Sequence, residues 1–222
     1  EAVCRGLTEA GYDYQTADQT VTVIGLPKHA KDASQGINAV IRLASVLANL
    51  HSHPTLHFLS DKARQDGKGL KIFGEVADEP SGSLSFNVAG LTINPDRSEI
   101  RIDIRIPVLA DKEKLVAQLT QCTKDYQLDY QEFDYLAPLY VARDSQLVTT
   151  LMQVYQEKTG DKTPPLSSGG ATFARTMPNC VAFGALFPGA QQTEHQANEA
   201  AVLDDLYRAM DIYAEAVSRL VT

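Results

Sequence analysis

Histidine and arginine occur at two places in the first half of the chain where their surroundings favour catalysis. His29 lies in a predicted loop between a strand and the start of a long helix, where the positive helix end favours a substrate oxyanion. Arg105 ends a predicted strand and can hold a carboxylate through two parallel hydrogen bonds. Taken alone, these residues are more typical of an exposed loop and of a solvated strand face.

Two further places lie in the last third of the chain. The Gly169–Gly170 pair allows close backbone approach, and Arg175 follows at a predicted helix start, so together they suit a carboxylate-binding loop. His195 follows a predicted buried strand, where α/β sheets build their sites, and a neutral imidazole is a preferred zinc ligand. On its own, the glycine-rich segment is better explained as a simple turn into a helix, whereas for His195 a polar loop is an equally good interpretation.

Hydrophobic spacing predicts the elements that position the first two residues. Before residue 138 it predicts helices over 1–10, 35–50 and 111–124, a strand over 20–24, a β-hairpin of 84–93 and 99–106, and a strand over 126–133. A hairpin, a helix and a strand in this order indicate a helix packed on an antiparallel sheet of the ferredoxin-like kind.

After Pro138 the pattern changes to a helix, a glycine-rich turn, a buried strand and a final helix. The helices are predicted over 145–159 and 203–220 and the strand over 180–185, a pattern typical of part of an α/β sheet domain. We therefore expect an α/β fold class and two domains, residues 1–137 and 138–222.

Composition argues against several classes of protein. The 222 residues are 44% hydrophobic and 22% charged, as in globular proteins with a substantial core. The formal net charge of −8, without a basic cluster, argues against a nucleic-acid partner. No apolar run reaches the ~20 residues of a membrane span, so no membrane partner is expected. Three widely separated cysteines favour a reducing, cytoplasmic location.

In their order along the chain, these motifs resemble the di-zinc metallopeptidase superfamily of aminoacylases, carboxypeptidases and dipeptidases. The resemblance covers essentially the whole chain and is nearest to the PepV-type, carnosine-cleaving (Xaa-His) dipeptidases. The motifs that carry it are Gly-x-x-x-His-Ala from Gly25, Gly-x-Asn-Ala from Gly36, Arg-x-Pro from Arg105, Gly-Gly-x-Thr-aromatic-x-Arg from Gly169, and Val-Ala-Phe-Gly-Ala from Val181 leading to His-x-Ala-Asn-Glu from His195.

This resemblance implies a role for each candidate residue. His195 matches the family's C-terminal zinc ligand, and His29 matches the lid histidine that helps to polarise the scissile carbonyl and stabilise the oxyanion. Arg105 resembles the lid arginine that holds the substrate's C-terminal carboxylate. The Gly169–Gly170 pair and Arg175 resemble the catalytic-domain loop that lines the substrate pocket.

The family's remaining metal ligands, among them a His-x-Asp motif and paired glutamates, have no match in the chain. The resemblance therefore implies a ferredoxin-like lid domain inserted in a zinc-exopeptidase α/β catalytic domain, of which only the C-terminal part is present. The expected partners are a missing N-terminal half and a short-peptide substrate, and the expected cofactors are two zinc ions, with manganese as the alternative. The implied function is a metal-dependent dipeptidase that releases a C-terminal amino acid, and the chain alone is expected to be inactive.

Two alternatives stay open at this point. One is an aminoacylase or carboxypeptidase of the same superfamily, whose members are commonly dimeric; the sequence leaves the oligomeric state undecided. The other is a non-catalytic ferredoxin-like module for oligomerisation or sensing, in which His29 and His195 are incidental.

Overall fold

A computed structural model describes residues 1–168, 172–184, 186–191, 193 and 198–221. The chain divides into two compact units, Glu1–Pro138 and Leu139–Thr222. Helices and short antiparallel sheets occur together, so the fold class is mixed α/β. The assignment of residues 1–137 to a lid and of 138–222 to a catalytic domain stays a prediction.

The first unit combines helices with three antiparallel strand pairs in its fully described residues. Its helices are α1 (Ala2–Glu9), α2 (Ala39–Ala48), α3 (Pro54–Phe58), α4 (Leu70–Phe73) and α5 (Lys112–Asp125). The strand pairs are β1 (Tyr14–Ala17) with β2 (Thr20–Val23), β3 (Ala77–Asp78) with β4 (Gly82–Ser83), and β5 (Ser85–Asn94) with β6 (Arg97–Arg105). A 3-10 helix, Ala30–Gln35, precedes α2, and a π-helical turn, Leu59–Ala63, follows α3.

The β5–β6 hairpin has one apolar and one polar face. Ser85 pairs with Arg105 at its open end, and Asn94 pairs with Arg97 beside the turn. Phe86 and Val88 are buried in the core, and because side chains alternate along a strand, the residues between them face the other way. That opposite face carries Ser85, Asn87, Asp103 and Arg105.

The core of the first unit lies between this hairpin and four of the helices. Helices α2, α3, α4 and α5 each contribute buried apolar side chains that cluster with those of β5. The members of this cluster include Ile41 and Ala44 of α2, Leu56 and Phe58 of α3, Leu115 and Leu119 of α5, and Phe86 and Val88 of β5. Burial of these side chains is the main favourable contribution to the stability of the unit.

Helix α2 is shorter than the predicted 35–50 because Asn38 caps it. The Asn38 Oδ1 atom accepts hydrogen bonds from the Val40 N–H at 3.1 Å and the Ile41 N–H at 3.2 Å. An N-cap residue of this kind has extended backbone, so the α-helix begins at Ala39. The separate 3-10 helix, Ala30–Gln35, ends three residues before Asn38.

The strand predicted over 126–133 is not formed. Tyr126, Leu128 and Tyr130 alternate and pack against the core, which explains the period-two pattern. A strand also needs a hydrogen-bonded neighbour, and this described segment has no strand pairing. The third strand of a ferredoxin-like sheet is therefore not supplied by these residues.

In its described residues, the second unit is built on two α-helices. They are α6 (Gln146–Thr159) and α7 (Leu203–Val221), and a short 3-10 helix, Phe173–Thr176, lies between them in the chain. Leu151 and Val154 of α6 pack in one cluster with Ala209, Ile212 and Ala216 of α7. No helix in the described part of the chain is both long and apolar enough to cross a membrane.

The buried strand predicted over 180–185 is also not observed in its described residues, 180–184. Val181 and Phe183 still pack against the α6–α7 cluster, and the Phe183 ring lies 5.7 Å from the Tyr213 ring, measured between centroids. The apolar run therefore marks burial, but burial alone does not create the backbone pairing that a strand requires.

Candidate active site

His29 lies exposed at the N-terminal end of the 3-10 helix Ala30–Gln35. Its backbone is extended, and its Nδ1 atom accepts a hydrogen bond from the Lys31 N–H at 3.3 Å. An imidazole that accepts through Nδ1 carries its proton on Nε2 when it is neutral. His29 can therefore donate a hydrogen bond from Nε2 to a substrate oxygen.

The loop that carries His29, residues 25–37, is closed at its base. Leu26 and Ile37 exchange two backbone hydrogen bonds, each of 3.0 Å. Gly25 allows this closure, because a Cβ atom there would lie 2.3 Å from the Ile37 carbonyl oxygen. We call this segment the His29 loop; its ends meet as in a compact Ω-loop.

Side chains connect the end of the His29 loop to the hairpin. Asn38 Nδ2 donates to the Val88 carbonyl oxygen at 2.8 Å. Gln65 pairs with the Asn38 backbone in both directions, with Asn38 N–H to Gln65 Oε1 at 3.0 Å and Gln65 Nε2 to Asn38 O at 2.7 Å. The Nδ2 contact with Val88, together with the Oδ1 cap of α2, explains why an asparagine side chain suits this position, whereas the Gln65 contacts involve only the Asn38 backbone.

Ser85 connects the loop to the open end of the hairpin. Its Oγ donates a hydrogen bond to the carbonyl oxygen of Ala30, the residue after His29. Ser85 is also the direct strand partner of Arg105. Since directly opposite residues project from the same face of a sheet, the contact with the His29 loop and the Arg105 side chain share a face.

Arg105 is oriented by a neighbour on its own strand. Its Nη2 donates to Asp103 Oδ2 at 2.8 Å, and its side chain is 38% exposed. The Arg105 Nε atom is buried and has no hydrogen-bond partner among the described residues. Asp103 thus holds the guanidinium at one edge. The remaining N–H groups of Arg105 can donate to another acceptor.

The candidate residues of the second unit are only partly described. Arg175 is half-buried in the 3-10 helix Phe173–Thr176, and its backbone N–H donates to the Thr172 carbonyl oxygen at 3.2 Å. Gly169, Gly170 and His195 lie outside the described residues. The structure therefore brings together the His29 loop and Arg105, whereas the placement of Gly169, Gly170 and His195 and the role of Arg175 stay predictions.

The described side chains do not form a metal site by themselves. Within the described ranges, no group of three or more His, Cys, Asp and Glu residues is arranged to hold a metal ion. A catalytic zinc site usually has three protein ligands and an open position. The predicted ligand His195 is outside these ranges.

Sequence reasoning missed Ser85 as part of this arrangement. Ser85 belongs to no motif, and its hydroxyl contact with Ala30 spans 55 positions in the chain. Polar–apolar alternation around Phe86 places Ser85 on the polar face, but alternation does not say which loop packs on that face.

Residues 6–219 match the model of a family described as Peptidase family M20/M25/M40. The chain belongs to this peptidase family.

Relatives of the M20/M25/M40 chain carry dipeptidase names. It is 35% identical over 201 residues to "Putative dipeptidase YtjP" of Bacillus subtilis (strain 168), which covers 88% of this chain and 43% of that protein. It is 27% identical over 210 residues to "Putative dipeptidase SH1171" of Staphylococcus haemolyticus, covering 92% of this chain and 45% of that protein. The chain thus spans less than half the length of these two relatives.

For a member of the M20/M25/M40 family, the open end of the β5–β6 hairpin offers two kinds of hydrogen-bond donor. Arg105 presents a charged planar fork that suits a carboxylate, and His29 presents an imidazole N–H that suits a carbonyl oxygen. Both groups belong to the first unit, in which every residue is described.

Proposed function

We propose that the chain is part of a metal-dependent dipeptidase that releases the C-terminal amino acid of a short peptide. The observation that supports it best is that the His29 loop and Arg105 lie at the same end and on the same face of the β5–β6 hairpin. In a dipeptide, the scissile carbonyl and the terminal carboxylate are one residue apart, which is at most about 3.6 Å of chain. Protein groups that bind the scissile carbonyl and the terminal carboxylate must therefore lie close together.

Arg105 binds the terminal carboxylate in this proposal. Asp103 holds Nη2, so the guanidinium is oriented before the substrate arrives and loses less conformational entropy on binding. A free carboxylate next to the scissile bond is present in dipeptides and absent around internal peptide bonds. Recognition of that group thus restricts cleavage to the last peptide bond of a substrate.

His29 acts on the scissile carbonyl in this proposal. Its Nε2–H donates to the carbonyl oxygen, and that hydrogen bond strengthens as negative charge develops on the oxygen. The donor is effective only if it is held in place before the reaction. The base of the His29 loop and the Ser85 contact supply that restraint.

The second unit and the remaining polypeptide complete the proposal. Residues 1–137 act as a ferredoxin-like lid, and residues 138–222 as the C-terminal part of the catalytic domain. The Gly169–Gly170 pair and Arg175 line the substrate pocket, and His195 is one metal ligand, with zinc or manganese bound. Such a metal supplies Lewis-acid activation of water and of the peptide carbonyl. The other ligands come from polypeptide that corresponds to the uncovered part of the relatives.

A cytoplasmic location is part of the same proposal. Cys4, Cys122 and Cys180 are all free thiols in the structure. Unpaired cysteines are usual in proteins of reducing compartments.

The decisive experiment compares substrate classes with the full-length, metal-loaded protein. We expect unblocked dipeptides to be cleaved with a higher kcat/KM than N-acetyl amino acids or longer peptides. Faster cleavage of N-acetyl amino acids would favour the aminoacylase alternative. Absence of hydrolysis with either zinc or manganese would leave the non-catalytic module as the better interpretation.

Two substitutions assign the roles of the histidines. His29→Ala should lower kcat by ~100–1,000-fold without loss of bound metal, the usual effect of deleting one oxyanion donor. His51→Ala, an exposed histidine beyond the end of α2, is the matched control and should leave kcat unchanged. His195→Ala should reduce the metal content measured by mass spectrometry, and an unchanged content would exclude it as a ligand.

A further inference from the structure

We infer that Ser85 is a positioning residue that holds the His29 loop in register with Arg105. The inference rests on the proposed function, in which His29 and Arg105 bind two neighbouring groups of one dipeptide. Ser85 itself touches neither group of the substrate.

The position of Ser85 is unusual among the polar residues of the hairpin. It is the first residue of β5 and is only 6% exposed. Its hydroxyl donates to the carbonyl oxygen of Ala30, and its backbone lies directly opposite Arg105. A single residue thus connects the peptide unit beside His29 with the strand position of the arginine.

The remaining hydrogen bonds around His29 are local to the tip of its loop. The His29 carbonyl oxygen accepts from the Asp32 N–H at 2.8 Å, and its Nδ1 accepts from the Lys31 N–H at 3.3 Å. Such contacts shape the loop but do not fix it to the sheet. The hydroxyl of Ser85 supplies a hydrogen bond from the hairpin to this tip.

Loss of this hydroxyl should affect the two binding groups differently. Without it, the Ala30 carbonyl loses its donor and the tip can shift, and a displacement of about 1 Å can cost on the order of 100-fold in rate. Arg105 remains in the backbone ladder and keeps its contact with Asp103. Catalysis by His29 should therefore suffer while carboxylate binding is retained.

The test uses steady-state kinetics of the full-length, metal-loaded protein with an unblocked dipeptide. We expect Ser85→Ala to lower kcat by about 10–100-fold with little change in KM. Ser85→Thr keeps the hydroxyl and should restore most of kcat. Ser85→Cys keeps nearly the same side-chain size, but its thiol is a weak hydrogen-bond donor, so its kcat should be intermediate. If the alanine variant does not fold, the cysteine variant serves as the test.

Ser98→Ala is the matched control. Ser98 lies beside the turn of the same hairpin, and its Oγ is 2.5 Å from Thr55 Oγ1, so this variant also loses a hydroxyl contact to a neighbouring element. We expect the two alanine variants to have similar melting temperatures but only Ser85→Ala to lose kcat. Equal kcat losses would overturn the inference.

A double mutant separates this inference from the proposed function. If Ser85 acts through His29, Ser85→Ala should have no further effect on kcat in a His29→Ala background. Independent, multiplying losses would overturn the positioning role while leaving the role of His29 intact. If His29→Ala itself has no effect, the proposed function fails at an earlier step.

Discussion

Arg105 Nη2 donates to Asp103 Oδ2 at 2.8 Å across one face of β6, two positions apart in the strand. Both side chains are 38% exposed, and ion pairs this accessible contribute only ~0–1 kcal/mol to the free energy of unfolding. The pair is consequently better suited to orienting the guanidinium than to stabilising the fold. This distinction leads to a kinetic prediction for Arg105.

Arg105→Lys should raise KM for unblocked dipeptides by at least about tenfold, because an ammonium group cannot reproduce the planar fork. Cleavage of C-terminally amidated dipeptides should change little, since they lack the carboxylate. Arg101→Lys is the control, because Arg101 lies on the same strand with a 65% exposed side chain. Equal losses on free and amidated substrates would contradict the carboxylate role.

Gly67→Ala should destabilise the first unit more than Gly11→Ala. Both glycines have positive φ, +63° and +68°, and an alanine in such a backbone costs about 1–2 kcal/mol. At Gly67 the new Cβ would also lie 2.4 Å from the Ser34 backbone nitrogen, whereas nothing lies within 4 Å at Gly11. Urea denaturation of both variants measures the difference between their free energies of unfolding. This difference represents the cost of moving the 3-10 helix away from Gly67. Equal midpoints would mean that this close approach is relieved at no cost.

Tyr126 should make stability fall at alkaline pH. Burial, together with a hydrogen bond to Asp61 Oδ2 at 3.1 Å and the charge of that carboxylate, raises the pKa of Tyr126 from 10.0 to about 12. The folded state thus favours the neutral phenol. The contribution of this neutral phenol to stability is complete below pH 10 and is lost as the pH rises from 10 to about 12, on the order of 2–3 kcal/mol.

Urea titrations at several pH values compare the wild type with Tyr126→Phe. The phenylalanine variant keeps the ring next to Phe58, at 5.8 Å between centroids in the wild type, but loses the hydrogen bond to Asp61, so it should lose about 0.5–1.5 kcal/mol of stability at pH 8. Between pH 10 and 12 its stability should decline less steeply than that of the wild type. Parallel curves would show that the Tyr126 hydroxyl does not have the raised pKa.

Local sequence signals were sufficient for the elements with clear boundaries. The hairpin follows from alternation on both sides of Asn94, whose Oδ1 accepts from the Asp96 and Arg97 N–H groups at 3.0 and 2.8 Å. Helix α5 follows from apolar spacing and from Asp111, which caps it through the Lys114 N–H at 3.1 Å. These signals involve residues a few positions apart, so the sequence displays them directly.

The same kind of signal failed for the strands predicted over 126–133 and 180–185. Residues 126–133 and 180–184 show apolar patterns because some of their side chains pack against the apolar clusters. The patterns therefore predict burial correctly. A strand additionally depends on a neighbour in the correct register. That condition involves distant parts of the chain and cannot be read from a single segment.

For the candidate site, the sequence by itself determined which residues have suitable chemistry and, through their order, which family they resemble. It identified His29 and Arg105 separately, as a loop histidine and a strand-end arginine. Only the tertiary structure decided that the peptide unit after His29 lies beside the strand partner of Arg105, through the hydrogen bond from the Ser85 hydroxyl to the Ala30 carbonyl. The physical reason is that this hydrogen bond exists only after the His29 loop has packed on the polar face of β5, and packing over 55 positions is a property of the whole fold.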